Sequence, residues 1–140
     1  MGHANQIALG IALKKPNMQV LCFDGDGALL MHMGGIAIIA SLGLNNYKHI
    51  IFNNSAHDSV GGQPTVGSRI DIKKIAEAVG YNKVFQTSTR EEIENVIEDF
   101  KNYPGLVMLE IKVKKGFRSD LGRPTKTPQE NKHALMNFIN

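Results

Sequence analysis

Apolar residues recur along the chain in two alternating rhythms. Ile7, Ala8, Ile11 and Ala12 are spaced for one face of a helix over residues 4–14, and Pro16 stops it. A short apolar run over residues 19–24 reads as a strand. Residues 28–42 are mostly apolar and of helical length, so one helix is expected there, buried on more than one side. Residues 48–53 read again as strand. The stretch 55–70 loses the rhythm and fills with Gly, Ser and Pro. A loop of that length inside a compact domain is usually functional.

The second half repeats the alternation with clearer punctuation. Asp71 is placed to cap a helix that Gly80 stops after Val79. Residues 83–87 form a strand, and Ser88 or Thr89 caps the next helix, which runs to about Asn102. Thr89 and Glu92 have the spacing of a capping box. Residues 106–113 are a β-branched strand, residues 114–126 are basic and irregular, and Thr127 with Pro128 opens a last helix. Alternating strands and helices with apolar strands predict an α/β fold. The expected form has three α/β/α layers around a doubly wound, mostly parallel sheet. No repeat, low-complexity segment or linker divides it.

Composition narrows the function only a little. A chain of 140 residues suits one domain with a real core. The formal charge of +3 and the lack of tryptophan give no sign of a nucleic-acid surface; ordinary surface lysines or an anionic small molecule account for the charge. The one cysteine, Cys22, lies inside an apolar strand and reads as a buried, inert thiol. A single cysteine agrees with a reducing compartment, so a cytoplasmic location is expected. Neither a signal peptide nor a membrane span is expected from the sequence given.

The candidate chemistry lies at two predicted strand ends. Gly25-Asp26-Gly27 follows the first strand, Asn53-Asn54 ends the second, and 25 residues separate them. Open α/β sheets bind ligands at strand carboxyl ends, beside a topological switch point. Asp26 and Asn54 both offer hard oxygens, which suits Mg²⁺ held against a diphosphate. The glycines permit close approach of backbone to phosphate, and a helix starting near Ala28 offers free amides to an anion. The plain alternative is a turn Asp and a turn Asn, both common at strand ends.

With the twin asparagine at that distance, the motif resembles the thiamine diphosphate signature of decarboxylase- and transketolase-type enzymes. The segments 1–12, 25–34, 53–65 and 117–124 together resemble the phosphonopyruvate decarboxylases of that family. The likeness runs over essentially the whole chain. It corresponds to the carboxyl-terminal, diphosphate-binding domain, with the pyrimidine-binding domain not represented in residues 1–140. The resemblance implies thiamine diphosphate and Mg²⁺ as cofactors. It implies Asp26, Asn54 and the Ala56 carbonyl as metal ligands. Gly25, Gly27 and Ala28 would meet the diphosphate, and Met1 would wedge the bent cofactor. It further implies decarboxylation of 3-phosphonopyruvate to phosphonoacetaldehyde and CO₂. The activating glutamate would come from a pyrimidine-binding domain of the same or a neighbouring subunit. A homo-oligomer and an isolated domain without activity are therefore expected.

Other residues keep two readings. His57 and Asp58 lie just past the metal loop and are candidate catalytic groups, the alternative for His57 being a solvated loop histidine. Related decarboxylases carry a glutamate a few residues past the twin asparagine, where this chain has Val60. Arg118, Arg123 and Lys126 are candidates to meet a phosphonate, with a solvated basic tail as the alternative. His32, between Met31 and Met33, reads as a core or interface histidine, and the surface around Met31, Met33 and Ile36 is expected to be exposed and apolar. The rival functions are a sulfopyruvate decarboxylase β-type subunit and another thiamine diphosphate-dependent 2-oxo acid decarboxylase. A third, of a different class, is a non-catalytic phosphate- or nucleotide-binding module. The absence of G-x-G-x-x-G after the strand counts against a dinucleotide site.

Overall fold

The structure, a computed structural model, describes residues 1–139. Four parallel strands carry it: β1 (Val20–Gly25), β2 (Tyr47–Asn53), β5 (Lys83–Thr87) and β6 (Val107–Lys112), in the order β1-β2-β6-β5. One face is covered by α1 (Ala4–Lys14), α3 (Gly34–Leu42) and α4 (Ile72–Val79), and the other by α5 (Arg90–Asn102). The three-layer α/β/α arrangement of the sequence reading is thus present. Its two cores are unequal. Leu29, Ile36, Ile39, Ile51 and Met108 belong to the larger, and Phe100, Val107 and Leu109 to the smaller beneath α5.

The local signals form as the sequence implies. Asp71 accepts from the Lys74 amide at 3.0 Å, and Thr89 and Glu92 close a capping box. Thr127 and Glu130 do the same at the start of α6 (Pro128–Ile139), where the Glu130 amide donates to Thr127 Oγ1 at 3.2 Å.

Several expectations are corrected. The single helix over 28–42 is two helices. The first, α2 (Asp26–Met31), begins at Asp26, not near Ala28, and ends at His32; α3 follows after Met33. Two glycines, Gly34 and Gly35, weaken helix continuation there, and Gln6 of α1 packs onto Gly35 and donates to its carbonyl at 3.2 Å. The loop 55–70 contains a small antiparallel pair, β3 (Ala56–His57) with β4 (Gln63–Pro64). His32 is not a core histidine: it is exposed and lies against His3, with ring centroids 4.3 Å apart. Ile36 is 1% exposed and Met33 half-buried, so of the expected apolar surface only Met31 is open. The open apolar surface lies instead on the sheet. Leu21, Phe23 and Phe52 stay exposed because α5 covers only the β5–β6 half of that face. Phe23 and Phe52 stack at 6.1 Å.

The core of β1 and β2 is more polar than its sequence suggests. Asp24 accepts from Asn5 Nδ2 at 3.1 Å, and His49 meets the Tyr81 hydroxyl at 3.1 Å. Burial pushes the Cys22 thiol up to about 11, which keeps it protonated and inert near neutral pH. Among the described residues no helix is long and apolar enough to cross a membrane.

Candidate functional site

The site is built where β1 and β2 end. Gly25 closes β1 and serves as the N-cap of α2, with extended backbone and no capping side chain. Asp26 through Leu29 are buried at once. The neighbouring strand ends at Asn53, and the chain reverses through Asn54 and Ser55. Ser55 has φ 57°, the one left-handed non-glycine among the described residues. That conformation is uncommon for a residue with a side chain and marks a constrained turn.

The two asparagines divide the work. Asn53 is buried and acts inward: its Nδ2 donates to Gly67 O at 3.0 Å and to Glu110 Oε1 at 2.8 Å. Its Oδ1 accepts from the Ser55 amide at 3.1 Å. Asn54 faces the cavity rim. Its Oδ1 accepts from the Ala56 amide at 3.0 Å, and its Nδ2 donates to Asp58 Oδ2 at 2.7 Å. The same Asp58 oxygen accepts from the Gly116 amide at 2.7 Å, which ties the basic segment after β6 to the site.

These residues enclose a cavity of about 320 Å³ lined by Met1, Gly25 to Ala28, Phe52, Asn54, Ala56 to Ser59 and Val113. The volume is at the low end of the range for small-ligand sites. Every cofactor-binding and catalytic candidate of the sequence reading lines it. The substrate candidates are placed otherwise. Arg123 lines an adjoining cavity of about 210 Å³ together with Asp58, Ser59, Phe117 and Leu121. Arg118 is exposed and pairs with Asp120 at 3.1 Å. A larger depression of about 440 Å³ lies between α1, β1 and the end of α6, but its lining is mainly apolar, and its only ionisable side chain is the inert Cys22.

Two features of the cavity call for a partner. Asp26 is 1% exposed, and among the described residues no basic side chain lies within ion-pair distance of it. Its Oδ2 accepts only the Thr65 hydroxyl. Buried carboxylates are ordinarily paired with a cation or ligate a metal. With the Asn54 side-chain oxygen beside the same cavity, the donor set is the hard, oxygen-only kind that Mg²⁺ takes. The second feature is His57. Its Nδ1 is buried without a hydrogen-bond partner among the described residues, and its ring lies against Gly27. Ser59 Oγ donates to the Met1 sulfur at 3.4 Å, fixing Met1 at the mouth.

The sequence reading missed Thr65, Gly67 and Glu110, which hold these groups from behind. A signal for each exists. Thr65 ends the Gly61-Gly62-Gln63-Pro64 run, and Glu110 is a lone charge inside a strand that is otherwise apolar up to Lys112.

Residues 1–111 match the thiamine pyrophosphate enzyme family through its C-terminal TPP binding domain. Over 139 residues the chain is 32% identical to a phosphonopyruvate decarboxylase of Streptomyces viridochromogenes, covering 99% of this chain and 35% of that protein. It is 34% identical to the phosphonopyruvate decarboxylase of Streptomyces hygroscopicus, covering 99% of this chain and 34% of the relative. Over 103 residues it is 37% identical to the sulfopyruvate decarboxylase subunit beta of Methanocaldococcus jannaschii, covering 73% of this chain and 52% of that subunit. The chain thus spans about a third of the length of the phosphonopyruvate decarboxylases it matches. With the two glycine–aspartate and asparagine motifs meeting at one cavity, the chain belongs to the thiamine pyrophosphate enzyme family, as its C-terminal TPP binding domain.

Proposed function

We propose that this chain is the diphosphate- and Mg²⁺-holding domain of a decarboxylase that converts 3-phosphonopyruvate to phosphonoacetaldehyde and CO₂. The observation that carries it is the buried Asp26 carboxylate, paired with no basic side chain among the described residues, in a cavity also lined by Gly27, Ala28, Asn54 and Ala56. Asp26, Asn54 and the Ala56 carbonyl would hold Mg²⁺. Amides of Gly25, Gly27 and Ala28 would receive the diphosphate, since the start of α2 has no side-chain acceptor. Met1 would support the ring end of the cofactor. Thiamine diphosphate, when bound, supplies the electron-accepting ring that lets CO₂ leave a 2-oxo acid.

This chain's own groups would supply the other contacts. His57 Nδ1 has no hydrogen-bond partner among the described residues, which supports a role for this ring in holding or delivering a proton. Asp58 accepts from Asn54 Nδ2 and the Gly116 amide, so its part would be to orient this wall of the cavity. Arg123, in the adjoining cavity, would bind the phosphonate, for which a guanidinium is geometrically suited. The aminopyrimidine would be met by a pyrimidine-binding domain of the same or a neighbouring subunit in a cytoplasmic homo-oligomer. Neither nucleic acid nor membrane has a part in it.

A second reading is supported by the Methanocaldococcus jannaschii relative, a sulfopyruvate decarboxylase subunit. Phosphonate and sulfonate differ by a charge, and a site built for one rejects the other strongly when a buried partner is left unpaired. The deciding experiment assays the complete enzyme with 3-phosphonopyruvate, sulfopyruvate and pyruvate. A higher kcat/KM for 3-phosphonopyruvate is expected. A preference for either competitor overturns the substrate assignment. No shift in melting temperature with thiamine diphosphate and Mg²⁺ overturns the cofactor assignment.

A further inference from the structure

On the premise that the cavity takes thiamine diphosphate and Mg²⁺, we propose that Thr65 and Glu110 are positioning residues of one hydrogen-bonded frame that holds Asp26 and the 53–56 turn in fixed relation. The frame starts in the middle of the sheet. Glu110 of β6 is 2% exposed, and among the described residues no basic group pairs with it. Its two oxygens take neutral donors instead, Oε1 from Asn53 Nδ2 at 2.8 Å and Oε2 from Gln86 Nε2 at 2.7 Å. An unpaired buried carboxylate of this kind costs stability against an apolar residue of the same volume. What it gives is orientation. With Nδ2 fixed toward Glu110 and Gly67 O, Asn53 must present Oδ1 to Ser55, whose amide and hydroxyl donate at 3.1 and 3.3 Å. Those bonds hold Ser55 in its left-handed conformation and so set Asn54 and Ala56 on the cavity wall.

From Gly67 the frame returns to the first motif. The Gly67 amide donates to Thr65 Oγ1 at 3.0 Å, and the Thr65 hydroxyl donates to Asp26 Oδ2. The single hydroxyl proton is thereby committed to Asp26. One oxygen of Asp26 is fixed, and Oδ1 has no protein hydrogen bond among the described residues. The packing leaves no slack: a Cβ on Gly67 would stand 2.5 Å from Asp26 Oδ2 and 2.7 Å from Asn53 Oδ1. Groups that orient ligands in this way typically change metal affinity about 10- to 100-fold when removed.

The test uses the complete enzyme and two readouts. Amide hydrogen exchange is followed without any ligand, and binding of thiamine diphosphate with Mg²⁺ is measured by titration calorimetry. Thr65→Val keeps the shape and removes the hydroxyl, and Thr65→Ser restores it. The Val variant should exchange the Gly67 amide at least about tenfold faster and bind cofactor at least about tenfold more weakly, while the Ser variant stays within about threefold of wild type. Glu110→Leu removes both acceptors, leaves the Asn53 amide without its Glu110 partner, and should speed exchange at Ser55 by a similar factor. Unchanged exchange at Gly67 and Ser55 overturns the frame, as does a Val variant that binds like wild type or a Ser variant that fails to rescue. Wild-type protein that binds no thiamine diphosphate removes the premise, and with it the positioning role, whatever the exchange rates show of the architecture.

Discussion

The imidazole of His57 stands where a side chain on Gly27 would have to be. A Cβ there would come 2.5 Å from the ring Cε1. Gly27 lies in α2, where alanine would favour the helix by up to about 1 kcal/mol. The His57 ring is the far end of a side chain on a short hairpin and has room to yield. Gly27→Ala should therefore change stability by less than about 1 kcal/mol while displacing His57. Denaturant unfolding checks the first part, and the His57 ring resonances in a ¹H–¹³C spectrum check the second. An unmoved ring would show that the contact does not position His57.

What the sequence disclosed, and what it did not, divides by range. Caps were readable because they are local: Asp71 with Lys74, Thr89 with Glu92 and Thr127 with Glu130 each span three residues. The meeting of Asp26 and Asn54 at one cavity followed from parallel strands whose carboxyl ends must lie side by side. The break between α2 and α3 was hidden because the apolar pattern runs through it, and Gln6, which packs on Gly35, is 29 residues away. The supports of the site were hidden for the same reason. Thr65 meets Asp26 across 39 positions and Asn53 meets Glu110 across 57. No periodicity encodes such a pairing.

Asp26 separates stability from function. Its buried carboxylate has no basic side chain within ion-pair distance among the described residues, so neutralising it should not weaken the fold. Asp26→Asn is nearly isosteric and still accepts from Thr65. Its melting temperature without ligand should equal or exceed that of wild type, and the stabilisation produced by Mg²⁺ with thiamine diphosphate should vanish. Wild-type protein held at about 100 times its dissociation constant gains about 2.7 kcal/mol, which is readily measured. A variant that keeps that gain would remove Asp26 from the metal site.

The two arginines should behave differently. Both are exposed, but Arg123 lines the cavity next to Asp58, whereas Arg118 lies outside it and is occupied by Asp120. In the complete enzyme Arg123→Ala is expected to raise KM for 3-phosphonopyruvate about 10-fold or more with a smaller change in kcat, the pattern of lost ground-state binding. Arg118→Ala should alter KM less than about threefold, because exposed ion pairs contribute little. Equal effects of the two substitutions would mean that the adjoining cavity does not receive the phosphonate.

Alkaline pH should loosen the fold through Cys22. Burial chiefly raises its thiol from 9.0 to about 11 in the native chain. Between those values the unfolded chain has released the proton and the native chain retains it. The unfolded state then binds fewer protons, so stability falls as pH rises. The slope for one such group is at most about 1.4 kcal/mol per pH unit. Burial also raises Tyr47 and Tyr81, and they extend the loss above their usual range. Lys48 works the other way. It is buried against the carbonyls of Tyr103 and Gly105, and desolvation lowers it, so the native chain sheds its proton first and stability gains with pH just below 10.5. The thiol is isolated by comparing wild type with Cys22→Ala, which removes only the sulfur and cannot ionise. Urea unfolding at intervals from pH 8 to pH 11 should give a shallower decline for the variant, with the curves diverging above the ordinary thiol range. Parallel curves would show that Cys22 ionises as easily in the folded chain as in the unfolded one, and that its burial carries no electrostatic cost.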